Sequence, residues 1–171
     1  TPLQLANEAC EIERECLGQP IGKQDQFGCA LGGAKHIRFL PDGTVDVQYL
    51  TLSKDLSEQI KSEFTLLYTG FTRSSTDVLK IQVENTDEKR ENLDLMCTQA
   101  VEVQESLGNG NLSRIGDLLN EGWRLKKELA SNISNSDIDS YYNLAMENGA
   151  YGGKISGAGG GGFLNLISDP S

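Results

Sequence analysis

Histidine is nearly missing from this sequence, with His36 alone, and the four cysteines, Cys10, Cys16, Cys29 and Cys97, form no Cys-x-x-Cys pair. Zinc sites need clustered Cys and His, and small secreted scaffolds need Cys spaced for disulfides, so neither is indicated. Reduced thiols in a cytoplasmic protein are the economical reading. Long apolar runs are missing too: none approaches the roughly 18 residues of a membrane span, and the first residues lack the basic-then-apolar layout of a signal peptide. Basic residues are in short supply, 15 Lys and Arg against 25 Asp and Glu, for a formal net charge of −10. That balance repels nucleic acid and anionic membrane at long range, so neither is expected as a partner, and a nucleotide site would need a local positive group or a metal. What remains is ordinary globular material, 171 residues at 37% hydrophobic and 23% charged, enough for one sizeable core or parts of two smaller ones.

Thr1-Pro2 has the form of an N-cap followed by proline at the first helical position, and Leu5, Ala9, Ile12 and Cys16 repeat at helical spacing until Gly18. Residues 18 to 34 are glycine-rich and polar. His36–Leu40 and Thr44–Leu50 read as strands joined by Pro41-Asp42-Gly43, a hairpin signal. Phe64–Tyr68 reads as a short buried strand, and Ser74–Leu107 as two helices broken near Asn85–Asp87. After a turn at Gly108–Asn111, Leu112–Ala130 is a helix with Ile115, Leu118, Leu119, Trp123 and Leu125 turned inward. Ser136–Glu147 is another, with Ser136 as N-cap and Gly149 just past its end. Strands at 151–156 and 162–167 close the chain. Strands, then helices, then a terminal strand pair is an α+β order.

Two segments carry chemistry. Gly152 to Phe163 includes four consecutive glycines between strand-like stretches. Such a run is entropically costly and is kept where φ > 0 or a close backbone approach is required. It can bring bare N–H groups against an anion, or it can be a tight turn or bulge between antiparallel strands. Gly18 to Phe27 places Asp25 between Gln24 and Gln26 after a glycine-containing loop. An aspartate so placed can orient or deprotonate a hydroxyl while the flanking amides bind other hydroxyls of a polyol, or it can cap a short helix toward Leu31.

Together these segments resemble the GHMP family of small-molecule kinases. Gly152–Phe163 resembles the family's third, C-terminal glycine motif, and Gly22–Phe27 the segment that carries the catalytic aspartate of its sugar-kinase branch. Ile12-Glu13-Arg14, Leu17-Gly18, Tyr68-Thr69-Gly70 with Arg73, Trp123 with Lys126, and Ile138-Asp139 leading to Gly149-Ala150 extend the likeness along the chain, toward the D-glycero-D-manno-heptose 7-phosphate kinases within that branch. The resemblance implies residues 1–52 as the last part of the family's N-terminal domain and 53–171 as its C-terminal domain, an antiparallel sheet packed with helices, incomplete at both ends.

The resemblance further implies ATP and Mg²⁺, with a sugar or sugar phosphate as acceptor and C1 of the heptose 7-phosphate as the acceptor hydroxyl. Asp25 becomes the general base or anchor for that hydroxyl, Glu13 the Mg²⁺ ligand, and Gln24, Gln26 and Lys23 substrate contacts. Gly157, Ala158, Gly159 and Gly160 approach the active site, sharing one cavity with Asp25. Arg73 is a bidentate anchor for the sugar's own phosphate, or a local cap or ion pair. Lys154 either faces solvent at a strand end or contacts ligand, and Trp123 is core rather than a nucleotide shelf. The family's serine-rich phosphate loop does not occur in this sequence. The chain therefore resembles an interior and C-terminal fragment, expected to be inactive alone and open to self-association through exposed apolar surface. A kinase for galactose, fucose or a uronic acid, or a non-catalytic GHMP-like metabolite-binding protein, are the competing readings.

Overall fold

A computed structural model of the chain describes residues 1–72 and 74–170, which form two compact units, Thr1–Leu52 and Ser53–Ser171. No helix among the described residues is long and apolar enough to cross a membrane.

The first unit opens with α1 (Pro2–Cys10), where the Thr1 side chain accepts the Gln4 N–H at 3.2 Å and Pro2 takes the first turn. The helix then widens into a π-helical turn, Glu11–Cys16, closed by a Leu17 N–H to Ile12 carbonyl bond of 2.9 Å. Gly18, at φ 61°, turns the chain toward α2 (Gln24–Leu31), and a hairpin of β1 (Lys35–Phe39) and β2 (Val45–Tyr49) follows. In its turn the Asp42 carboxylate accepts from both the N–H and the hydroxyl of Thr44, at 2.9 and 2.6 Å. These bonds hold the Asp42 carboxyl below the usual carboxylate range.

The core of this unit corrects the inward face that helical spacing suggests. Ala6, Cys10 and Phe27 are buried, while Leu5 and Ile12 are 58% and 54% exposed. Small residues let α1 approach α2 closely, and the bulkier ones are left on the outer face. Phe27 meets Phe39 edge-on, with ring centroids 5.8 Å apart. Burial pushes the Cys10 thiol up from its ordinary pKa.

Among the described residues the second unit is a three-stranded antiparallel sheet in the order β3 (Phe64–Tyr68), β5 (Phe163–Ser168), β4 (Ala150–Ile155), accompanied by five helices. Of these, α3 (Lys54–Glu63) is not anticipated above, although Ser53 caps it by accepting the Leu56 N–H at 3.1 Å, and Leu56 and Ile60 pack beside Ile167. The pair α4 (Ser75–Glu84) and α5 (Arg90–Gly108) breaks where expected. α7 (Ser136–Glu147) is capped by Asn135 rather than Ser136: the Asn135 side-chain oxygen accepts from the N–H groups of Asp137 and Ile138 at 3.0 and 2.9 Å.

α6 (Leu112–Lys127) packs on β4 at a glycine–glycine crossing, where a Cβ on Gly152 would collide with the Gly116 carbonyl. This approach seats Trp123 in the main core with Val78, Ile133, Ile138, Ile155 and Leu164. β3 differs from expectation. It is a strand, but as the sheet edge it is exposed along all five residues instead of buried.

Candidate active site

Glu13 sits in the π-helical turn and Asp25 in the first turn of α2, where its charge complements the helix N-terminus. The Gln26 amide donates to Glu13 Oε2, binding the two segments together. Glu13, Asp25 and Gln26 then line one cavity of about 370 Å³, completed by Leu5, Ala9, Cys29 and Ala30. Gln26 Oε1 is buried there with no hydrogen-bond partner among the described residues. A further Glu13 contact shapes the turn: its backbone carbonyl accepts the Gln19 N–H at 3.0 Å, which folds the following loop back over the helix end.

The structure therefore brings together three of the residues singled out by sequence. Gln24 is exposed at the start of α2 and does not line the cavity. The Lys23 ammonium donates to the Gly43 carbonyl at 3.1 Å, so it is engaged at the hairpin turn. Arg73 lies outside the described residues. Cys29, one turn after Asp25 on α2, also lines the cavity; helical spacing from Asp25 was the signal that could have found it.

Carboxylate and amide oxygens form a hard donor set suited to Mg²⁺, which takes one or two protein carboxylates and fills its remaining positions with water and phosphate oxygens. Among the described residues no group of three His, Cys, Asp or Glu side chains gathers to cage a metal.

In the second unit the glycine motif is the connection of the β4–β5 hairpin, and its backbone is pinned from several sides. Gly160 N–H donates to the Ile133 carbonyl at 2.7 Å, and Gly162 N–H to the Phe71 carbonyl at 2.8 Å. The Gly162 carbonyl accepts both the N–H and the hydroxyl of Thr69 at 2.9 Å. At Gly159, φ is +110° and a Cβ would stand 2.9 Å from Ile133 Cγ2 and carbonyl oxygen. Glycine is thus required for close packing as well as for φ. Two of the loop's N–H groups are consumed within the protein, which corrects the picture of a run of bare donors. The Gly157 carbonyl accepts from the ammonium of Lys126, itself only 8% exposed.

Lys154 is opposite Asn165 in the sheet and half-buried, and desolvation pushes its ammonium pKa down, so a lysine simply facing solvent is not what the structure holds. Trp123 is fully buried, which makes it core. Lys127 stands 5.9 Å over its ring and pairs with Asp139 at 3.1 Å.

The second unit is an antiparallel α+β domain closed by a glycine hairpin, and residues 103–171 match the family described as GHMP kinases C terminal. Residues 103–171 thus carry a GHMP kinase C-terminal domain. It is 33% identical over 170 residues to a D-glycero-alpha-D-manno-heptose 7-phosphate kinase of Campylobacter jejuni, covering 98% of this chain and 50% of that protein. Against a galactokinase of Pyrococcus furiosus it is 28% identical over 191 residues, covering 98% of this chain and 54% of that one. Among solved structures, a D-glycero-D-manno-heptose 1-phosphate kinase of Bacteroides thetaiotaomicron matches with a TM-score of 0.68 at 25% identity, over 96% of this chain and 44% of that one. A Lactococcus lactis galactokinase shares the fold, with a TM-score of 0.70 at 17% identity over 98% of this chain and 52% of that one. The chain spans about half the length of these two curated relatives.

Proposed function

We propose that this chain is part of an ATP-dependent sugar kinase that transfers the γ-phosphoryl of ATP to a sugar hydroxyl, with C1 of D-glycero-D-manno-heptose 7-phosphate as the acceptor. The observation that carries the reading is the single cavity lined by Glu13, Asp25 and Gln26, in a chain resembling a heptose 7-phosphate kinase over nearly its whole length. Asp25 accepts the proton of the attacking hydroxyl as its oxygen bonds to the γ-phosphorus and the bond to the bridging oxygen of ADP breaks. Glu13, oriented by the Gln26 amide, would hold Mg²⁺, which would neutralise charge on the phosphates. The glycine loop, its backbone already fixed by Ile133, Phe71 and Thr69, needs little reorganisation to meet an anion.

A second reading, a kinase for a neutral hexose, is favoured by the galactokinase resemblance alone. The deciding experiment incubates the complete polypeptide that carries this sequence with ATP, Mg²⁺ and a panel of sugars and sugar phosphates, with the product position read by NMR. Transfer to C1 of a 7-phosphorylated heptose is the expected result. Transfer only to unphosphorylated hexoses moves the assignment to the second reading, and no transfer to any sugar removes both.

A further inference from the structure

The glycine loop is anchored in its second half by backbone partners, Gly160 on Ile133 and Gly162 on Phe71 and Thr69. Its entry, where Gly157 has φ +67° and a Cβ would meet nothing within 4 Å, lacks such close packing. What holds it is a side chain: Lys126, in the last turn of α6, donates its ammonium to the Gly157 carbonyl. Only 8% of Lys126 is exposed, an unusual burial for a lysine, and its charge is placed favourably at a helix C-terminus.

The bond also fixes the orientation of the next amide. Gly157 C=O and Ala158 N–H belong to one peptide group, the described chain has no cis peptides, and in a trans peptide the two point in opposite directions. With the carbonyl drawn to α6, the Ala158 N–H is turned away from that helix. A charged donor on the carbonyl polarises the same peptide and strengthens its N–H as a donor. We propose that Lys126 is a positioning residue, which pins the entry of the glycine loop and aims the Ala158 N–H outward for an anionic oxygen of the bound substrates. The effect on turnover rests on the kinase reading above; the tether itself does not.

The test compares Lys126→Met and Lys126→Arg with the wild type in the complete polypeptide that carries this sequence. Two quantities are read: amide hydrogen exchange of segment 156–163 against α6, and kcat and KM for ATP and sugar. Lys126→Met should speed exchange in the loop about tenfold while α6 keeps its protection, and should lower kcat about tenfold with little change in sugar KM. Lys126→Arg, which keeps a charged donor, should restore most of both. Unchanged loop exchange, or exchange rising equally in the loop and α6, overturns the tether and leaves Lys126 a packing residue. Local loosening with unaltered kcat overturns the positioning role. Should Lys126→Met not fold, the wild type decides: slowly exchanging Lys126 ammonium protons are expected by NMR, and fast exchange overturns the tether. A wild type that phosphorylates no sugar defeats the kinase reading while the exchange measurements still decide the tether.

Discussion

The two units build their candidate sites from opposite materials. In the first, a core of three buried residues carries a cavity whose character comes from side chains, the carboxylates of Glu13 and Asp25 and the amide of Gln26. In the second, a far larger core carries a loop whose character comes from having almost no side chains, so that backbone can lie against Ile133 and Phe71. Side-chain sites tolerate change in stability and fail in chemistry; backbone sites fail first in folding. That contrast predicts how each should break.

The largest effect is expected at Asp25. Asp25→Asn should reduce kcat by about 10²- to 10⁴-fold, the span of a lost general base, while ATP binding by calorimetry and the thermal midpoint stay near wild type. Turnover close to wild type would remove the assigned role and with it the chemical half of the contrast. At Gly159 the order reverses. Gly159→Ala places a Cβ against Ile133 at a φ that disfavours any side chain, and should cost about 1–3 kcal/mol in urea unfolding. Equal stability of this variant would mean that the loop is not held by close packing.

The smallest effect concerns Lys154. Its pKa is lowered by burial, so above that depressed value the folded state binds fewer protons than the unfolded state, whose lysine titrates near 10.5. Stability should therefore rise as pH climbs from the depressed pKa toward 10.5, and the burial penalty should be fully present below it. Lys154→Met removes the ammonium, so it should be more stable than wild type at neutral pH, with the difference shrinking as pH rises. A difference independent of pH would show that desolvation of the ammonium is not what distinguishes this position.

The legibility of the chain follows the same division. The Pro41-Asp42-Gly43 hairpin, the break at Asn85–Asp87 and the glycine hairpin could be read because each is marked by residues with narrow backbone preferences. The α+β class followed from their order. α3 escaped because its apolar contacts reduce to Leu56 and Ile60, too few to stand out from a polar stretch. β3 was recognised as a strand but assigned the wrong burial, since an apolar run reads the same in the middle of a sheet and at its margin. In the site, Glu13, Asp25 and Gln26 were legible as residue types. Their meeting depends on the π-helical turn, which no local preference announces. Lys126 was invisible as an anchor because its partner is a carbonyl 31 positions away, and carbonyls leave no mark in a sequence.

The widened turn at Glu11–Cys16 has a consequence for how this stretch tolerates change. It holds its shape by accommodating a surplus residue, so it depends on length more than on identity. Exchanging a residue other than Glu13 there should leave the shape intact, but deleting a single residue would let the ladder relax to ordinary α spacing. The helix beyond would keep nearly the same facing about the axis, because the wide turn spends its surplus residue within one revolution, while the residues inside the turn would be re-aimed. Shortening by one residue would thus swing the Glu13 carboxylate off the Gln26 amide while leaving the rest of the fold in place.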